Sequence, residues 1–122
     1  MKYVFLAYRD EKQWDAMSAS ERDALEHAGQ ANEQDLRQSG HLLAVEGLQS
    51  SHTAITVRIV NGKVSLTDGP CTETQWELIR LFFINGRDLN EAIRVVSKMP
   101  QAREGPIEVR PVMELDRPRK SN

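Results

Sequence analysis

Asp68 and His41 have the side chains best suited to acid–base chemistry in this sequence. Asp68 ends a predicted strand just before Gly69 and Pro70, and a carboxylate there can act as a general base or bind a cation when the cleft excludes water. The same spacing suits an ordinary turn, in which Asp accepts backbone hydrogen bonds. His41 opens another predicted strand, where a histidine either lies at the surface or exchanges a proton near neutral pH. Acid–base chemistry and a structural turn are therefore the two alternatives.

Three further residues are candidate ligand-binding groups, namely Glu46, Arg58 and Thr74. Glu46 is a polar group that can face an apolar pocket. Arg58 and Arg80 lie in predicted strands, where the planar guanidinium either holds an anion or lines the solvent edge. Thr74 lies beside Trp76 in the loop before a predicted strand, and Trp76 would either wall a pocket or pack in a dimer interface.

Composition excludes several classes of function. The chain has 122 residues, which suits one domain, and its net charge of −2 offers no basic field for nucleic acid. The single cysteine cannot form an internal disulfide, and the first apolar run is too short for a signal peptide or a spanning helix. No metal-ligand spacing, phosphate loop or dinucleotide fingerprint occurs. We therefore expect a cytoplasmic protein without a cofactor, a nucleic-acid partner or a membrane partner.

Hydrophobic periodicity predicts the elements that must position these side chains. Ser18 and Asp88 are each followed three residues later by Glu, which is the spacing of a capping box at a helix start. Asn61 and Gly62 suit the type I′ turn of a hairpin. The predicted strands are 2–8, 41–48, 77–84 and 107–112, with a hairpin at 54–67 and helices at 18–39 and 89–99.

This order predicts an α+β, ferredoxin-like βαββαβ fold with an additional hairpin. In that fold the first and third main strands, 2–8 and 77–84, lie in the middle of the sheet, and both are apolar on both faces. Two helices can cover only one face of the sheet. We expect a second copy of the chain to cover the other face in a homodimer. The alternative is a mostly polar face left open to solvent.

The segment from Asp68 to Pro70, followed by Thr72, Glu73 and Thr74, resembles the signature of the DGPF group within the YCII-related family of small bacterial proteins. The resemblance covers nearly the whole chain. Further matching segments are Met1-Lys2-Tyr3, Gly47-Leu48-Gln49 after Glu46, Asp88-Leu89-Asn90-Glu91-Ala92 and Val109-Arg110-Pro111-Val112.

The resemblance implies a dimeric α/β-barrel of ferredoxin-like subunits, in a superfamily that also holds monooxygenases, lactone isomerases and haem enzymes. It implies no settled reaction. Some related proteins pair a histidine with an aspartate, which is the implied role of His41 and Asp68. Other members of the group are associated with sigma factors of the extracytoplasmic-function type, which implies a regulatory role.

Two departures from the family pattern affect the expected site. Cys71 stands where Phe is usual, and we expect its side chain to fill an apolar gap. Ile79 and Arg80 stand where the pattern usually has two glycines. Because glycine in a strand often allows a close approach by a ligand, Ile79 and Arg80 should fill or reshape any pocket that relatives have there.

Two functions follow as hypotheses for a single domain at 1–116, with a flexible tail at 117–122. The first is a small-molecule binding or enzyme site between sheet and helices, with Asp68, His41 and Glu46 as polar groups. The second is a non-catalytic regulatory module that binds a protein partner in a sigma-factor system.

Overall fold

The computed structural model describes residues 1–114, and the tail expected to be flexible lies outside them. Within this part, the protein is a mixed α+β structure with antiparallel sheets and three helices, compatible with a ferredoxin-like fold. The strands are β1 (Lys2–Asp10), β2 (Leu42–Gly47), β3 (Ile55–Val60), β4 (Lys63–Asp68), β5 (Trp76–Asn85) and β6 (Ile107–Pro111). The helices are α1 (Glu11–Ala16), α2 (Ala19–Gln38) and α3 (Leu89–Ser97), and short 3₁₀ turns occur at Ser51–Thr53 and Pro100–Arg103.

The main sheet has the strand order β2-β5-β1-β6, with every neighbouring pair antiparallel. As predicted, the two strands that are apolar on both faces are the interior ones. Phe5 of β1 lies opposite Phe82 of β5 and Val109 of β6, which fixes the register across three strands. A bulge in the β1–β5 pairing follows Ala7 and changes the register near the end of β1.

The hydrophobic core lies on one face of this sheet. Alternate side chains of β1, namely Tyr3, Phe5 and Ala7, are fully buried, because a strand directs every second residue to the same side. The helices cover them with Leu36 and Ala92. The other members of the core are Leu42, Phe82, Ile84 and Met99. Burial of each large apolar side chain contributes about 1.5–3 kcal/mol, so this face provides most of the stability.

The opposite face of the sheet is apolar along its two interior strands and is less covered. The intervening residues Val4 and Leu6 of β1 lie opposite Phe83 and Leu81 of β5, and all four are only half-buried. We call this surface the open face. It has no buried residue on β1, in contrast to the core face.

The structure has one helix that was not predicted and one helix that is shorter than predicted. Ser18 and Glu21 form the predicted capping box at the start of α2. The short helix α1 was not predicted, because its six residues have no apolar stripe and its main signal is the cap Asp10, whose carboxylate accepts hydrogen bonds from two amides. Helix α3 ends at Ser97, earlier than predicted, and Met99 precedes a 3₁₀ turn.

The predicted hairpin is present, with Asn61 and Gly62 both at positive φ of 52° and 77°, as a type I′ turn requires. It forms a separate two-stranded sheet. Its apolar side chains are 58–66% exposed, although a cross-strand set of this kind normally packs on a core. The members of this hairpin patch are Ile55, Val57, Ile59, Val64 and Leu66.

Gly105 provides a test of how closely the loop before β6 packs against the ends of β1 and β5. A Cβ at Gly105 would overlap the Tyr8 carbonyl oxygen and lie 3.1 Å from Trp76 Cζ3. We expect Gly105→Ala to lower the free energy of unfolding by about 1–3 kcal/mol in urea denaturation, because backbone must move. Gly47→Ala is the control, since its Cβ would lie 3.8 Å from Arg80 Nη2, an ordinary contact. Equal effects of the two substitutions would contradict this account.

Candidate functional site

Asp68 lies at the base of the hairpin, where β4 ends opposite Ile55. The turn after it is held by other groups. Gly69, at φ 99°, donates its amide to the Ala54 carbonyl at 2.7 Å, and Thr56 Oγ1 donates to the Gly69 carbonyl at 2.8 Å. Pro70 has no amide hydrogen to donate. Within residues 1–114 no hydrogen bond or ion pair involves the Asp68 carboxylate, which is exposed.

His41 lies at the other end of the sheet. Its Nδ1 is 2.7 Å from Ser39 Oγ, its Nε2 is 3.5 Å from Glu91 Oε1, and its carbonyl accepts from the Asn85 amide. Asp68 lies on the separate two-stranded sheet of the hairpin, and its carboxylate makes no hydrogen bond or ion pair within residues 1–114. Among the described residues, His41 and Asp68 therefore do not form a pair.

The other three predicted ligand-binding residues are dispersed. Glu46 is exposed on β2 opposite Leu81, and Arg58 is exposed on the hairpin opposite Ser65. Thr74 Oγ1 donates to the Trp76 carbonyl at 2.9 Å and accepts from the Trp76 amide at 3.1 Å, so it shapes its own loop.

Cys71 is exposed, which corrects the expectation that it fills an apolar gap. Thr72 Oγ1 donates a hydrogen bond to its sulfur at 3.9 Å. Across residues 1–114, no three His, Cys, Asp or Glu side chains converge as metal ligands would. In the same range, no helix has the length and apolar character needed to cross a membrane.

A polar cavity of about 240 Å³ lies at the end of the sheet where β1 stops and β5 begins. It is enclosed by these two strands, by α1 and by the segment after β2. We call it the α1 cavity. Its lining residues are Arg9, Glu11, Trp14, Asp15, Gly47, Leu48, Ser50, Glu77, Ile79 and Arg80.

Arg9 forms one wall of the α1 cavity. Its guanidinium carbon lies 3.5 Å from the centre of the Trp14 ring, a cation–π contact that ties α1 to the sheet. Its Nη2 donates to Glu104 Oε1 at 3.2 Å. Its Nε is buried and has no hydrogen-bond partner. An unpaired buried donor of this kind costs about 1–3 kcal/mol.

Arg80 extends from β5 on the same side as the core. It pairs across the strands with Ala7 and Gly47, and Gly47 leaves room for its head group. Its Nη1 donates to Glu33 Oε1 of α2 at 3.1 Å. Ile79 and Arg80 both line the α1 cavity.

Carboxylates complete the cavity wall. Glu77 Oε1 accepts from the Ser51 amide at 2.6 Å, which holds the loop after β2 against β5. Glu11 Oε2 lies 3.3 Å from His52 Nε2. Asp15 has no hydrogen-bond partner within the described range. Sequence reasoning missed this cavity because Glu11 and Asp15 reach it through the unpredicted helix α1, and Arg9 lies beyond the predicted end of the first strand at residue 8.

A second hollow of about 280 Å³ adjoins the open face. Tyr8 and Trp76 line it together with Pro106, Ile107 and Glu108. The Tyr8 hydroxyl donates to Glu108 Oε1 at 3.3 Å. Burial and then the Glu108 charge raise the pKa of Tyr8 above its usual 10.0, so the phenol stays a protonated donor at neutral pH.

Two comparisons with known proteins agree with this architecture. Residues 1–116 match the family model of the YCII-related domain. The chain is also 30% identical over 114 residues to an uncharacterised protein of Rhizobium meliloti strain 1021, R00369, and the match covers 92% of each protein. The chain therefore belongs to the YCII-related family. The function of the Rhizobium meliloti relative is not characterised.

The cluster around His41 predicts a pH effect on stability. A hydrogen bond from the Arg87 amide, and then the charges of Arg87 and His41, hold the pKa of Glu91 below its usual 4.5. Folding therefore favours the charged form of Glu91, which adds to the free energy of unfolding. This contribution is fully present above pH 4.5, the usual pKa, and it is lost as the pH falls through the lower pKa of the folded state.

We expect Glu91→Gln to lack this contribution, so its stability should fall less steeply than that of the wild type below pH 4.5. Urea denaturation from pH 3 to pH 7 measures the difference. Glu26→Gln is the control, because Glu26 lies exposed on α2 and makes no ion pair among the described side chains. Parallel pH profiles for wild type and Glu91→Gln would contradict the prediction.

Proposed function

We propose that this protein binds a small molecule in the α1 cavity. The observation that carries the proposal is a pair of guanidinium groups, from Arg9 and Arg80, on the wall of a cavity of about 240 Å³. Each group uses one amino nitrogen for a carboxylate outside the lining, Glu104 or Glu33, and keeps other N–H donors. Small-molecule sites commonly combine a concave shape with a few convergent polar groups.

The supporting structure is rigid where the ligand would sit. Arg80 and Glu77 come from a central strand rather than from a loop, and Trp14 offers a flat apolar surface. A strand holds such side chains more firmly than a loop does. The ligand would therefore meet donors and acceptors that are already in place, which lowers the entropic cost of binding.

Asp68 remains a candidate general base in a separate site at the hairpin base. The exposed carboxylate has no partner of its own among residues 1–114, and the turn does not require it. Its segment supports our proposal that the chain belongs to the DGPF group of the family. A carboxylate in water is a weak base, so catalysis by Asp68 needs a second surface that covers it.

We also propose a homodimer that supplies such a surface. With strands of five to ten residues, the open face covers roughly 500 Å² at about 4.8 Å between strands and 3.3 Å per residue. A stable interface buries about 800 Å² per partner. The hairpin patch, from Ile55 to Leu66, would provide the remainder, since its apolar side chains are exposed in the part of the single chain that the structure describes.

The same hairpin patch favours a second function. An apolar surface of five side chains on a protruding hairpin also suits a protein partner of a different kind. This alternative is a regulatory module in a sigma-factor system. It requires the patch to be free in the purified protein.

The ligand proposal predicts a stabilisation that depends on Arg80. We would screen small carboxylic acids, lactones, phenols and amino acids by thermal shift. A ligand at about 100 times its dissociation constant adds about 2.7 kcal/mol, or several degrees. Arg80→Gln should abolish the shift, because it removes a charged donor from the cavity. Arg94→Gln should retain it, since α3 contributes no residue to the cavity.

Asp68→Asn separates the two candidate sites in the same screen. A shift that survives Asp68→Asn and is lost in Arg80→Gln supports the α1 cavity. The reverse pattern would move the site to the hairpin base and overturn our assignment. No shift with any compound would favour the regulatory alternative.

The dimer proposal predicts twice the 13.9 kDa chain mass by light scattering after size exclusion. Leu66→Glu should shift the population towards the monomer, because burial of an unpaired carboxylate in the interface is costly. Ile93→Glu is the matched control, as Ile93 is 48% exposed on α3 and lies outside both surfaces. A monomeric wild type would overturn the homodimer and leave the hairpin patch for another partner.

A further inference from the structure

The charge balance of the α1 cavity constrains its ligand. Arg9 and Arg80 face three lining carboxylates and are each paired with one more just outside the lining. Five carboxylates therefore surround two guanidinium groups. They still outnumber the cations when Arg22, which lies 5.8 Å from the Trp14 ring, and a protonated His52 are included. A simple anion would enter a field of its own sign, which lowers its affinity.

A simple cation meets the opposite difficulty. Arg9 and Arg80 each use one amino nitrogen for a carboxylate outside the lining and keep other N–H donors. A ligand with no acceptor would desolvate these donors without pairing them. A ligand that satisfies the lining must therefore present both an acceptor of hydrogen bonds and a positive charge.

The sheet register brings these two requirements close together. Arg9 of β1 lies directly opposite Glu77 of β5, and such cross-strand neighbours have Cβ atoms about 4.5–5.5 Å apart on one face. The two side chains do not pair with each other. Arg9 pairs with Glu104, and Glu77 accepts from the Ser51 amide. Adjacent opposite charges that each face the same cavity match the two charged groups of an amino acid.

Cavity size limits the length of the ligand. A water molecule occupies about 30 Å³ of liquid, so 240 Å³ holds a ligand of about eight non-hydrogen atoms. Leu48 and Ile79 add apolar lining beside the charged groups, which suits a short aliphatic chain.

We infer that the α1 cavity binds a small zwitterion of the α-amino acid type, an inference that rests on the proposed small-molecule function. The ligand carboxylate accepts hydrogen bonds from Arg9 and Arg80. The ligand ammonium group donates to Glu77, whose second oxygen is not used by the Ser51 amide, and Asp15 adds negative charge on the α1 side. A short side chain contacts Ile79.

Three probes of similar length test this inference. Norvaline has both charged groups, pentanoate lacks the ammonium group, and butylamine lacks the carboxylate. Binding is measured by NMR titration of the ¹⁵N-labelled protein, with the Trp14 indole N–H signal as the reporter. The chain has two tryptophans, so Trp76→Phe assigns that signal. We expect norvaline to bind at least about 10-fold more tightly than either single-charge probe.

Two variants test the role of each charge. Glu77→Gln keeps an oxygen for the Ser51 amide but loses the charge, so norvaline should bind no more tightly than pentanoate. Arg80→Gln should reduce norvaline affinity to that of butylamine. Glu73→Gln, in the exposed loop before β5, is the matched control and should retain the wild-type order of affinities.

Other orders of affinity overturn the inference. Equal binding of pentanoate and norvaline would make the ligand a simple acid, and equal binding of butylamine would make it a simple cation. If no probe shifts the Trp14 signal, the amino-acid class is wrong. The proposed function fails separately, when no compound of the broad thermal-shift panel depends on Arg80.

Discussion

Antiparallel pairing of β1 with β5 is the constraint on which both the core and the proposed sites depend. These are the interior strands, and each directs alternate side chains to opposite faces. On one face the pairing of Phe5 with Phe82 buries both rings completely. On the other face it places Leu6 beside Leu81. A shift of one residue would exchange the faces, so burial of the aromatic rings fixes the register and, with it, the open face.

The same pairing also brings the charges of the α1 cavity together. After the bulge at Ala7, the register places Arg9 opposite Glu77, and Arg80 lies three residues further along β5. The pairs with Glu104 and Glu33 are partly buried, but each is a single contact beside a contiguous apolar core. Burial of that core holds the fold together, and this leaves the cavity charges free to serve a ligand.

The sequence was sufficient to predict the sheet and its helices, because Phe5, Phe82 and the capping residue Ser18 act through local periodicity and local hydrogen bonds. It was not sufficient for the site. The α1 cavity depends on a six-residue helix with no apolar stripe and on contacts between residues far apart in the chain, such as Arg80 with Glu33. Asp68 and His41 were attractive by residue type, but the His41 ring contacts Ser39 and Glu91, whereas Asp68 lies on the separate hairpin sheet.

Helix α1 links the stability of the cavity to its occupancy. Six residues are too few for an isolated helix to be stable in water. Two contacts offset this weakness, namely the Asp10 carboxylate, which accepts from the Lys12 amide at 2.9 Å, and the stacking of Arg9 on Trp14. A ligand held between Asp15 and the sheet would add a third. Because a ligand that binds only the ordered helix must also stabilise it, binding and ordering of α1 are two aspects of one equilibrium.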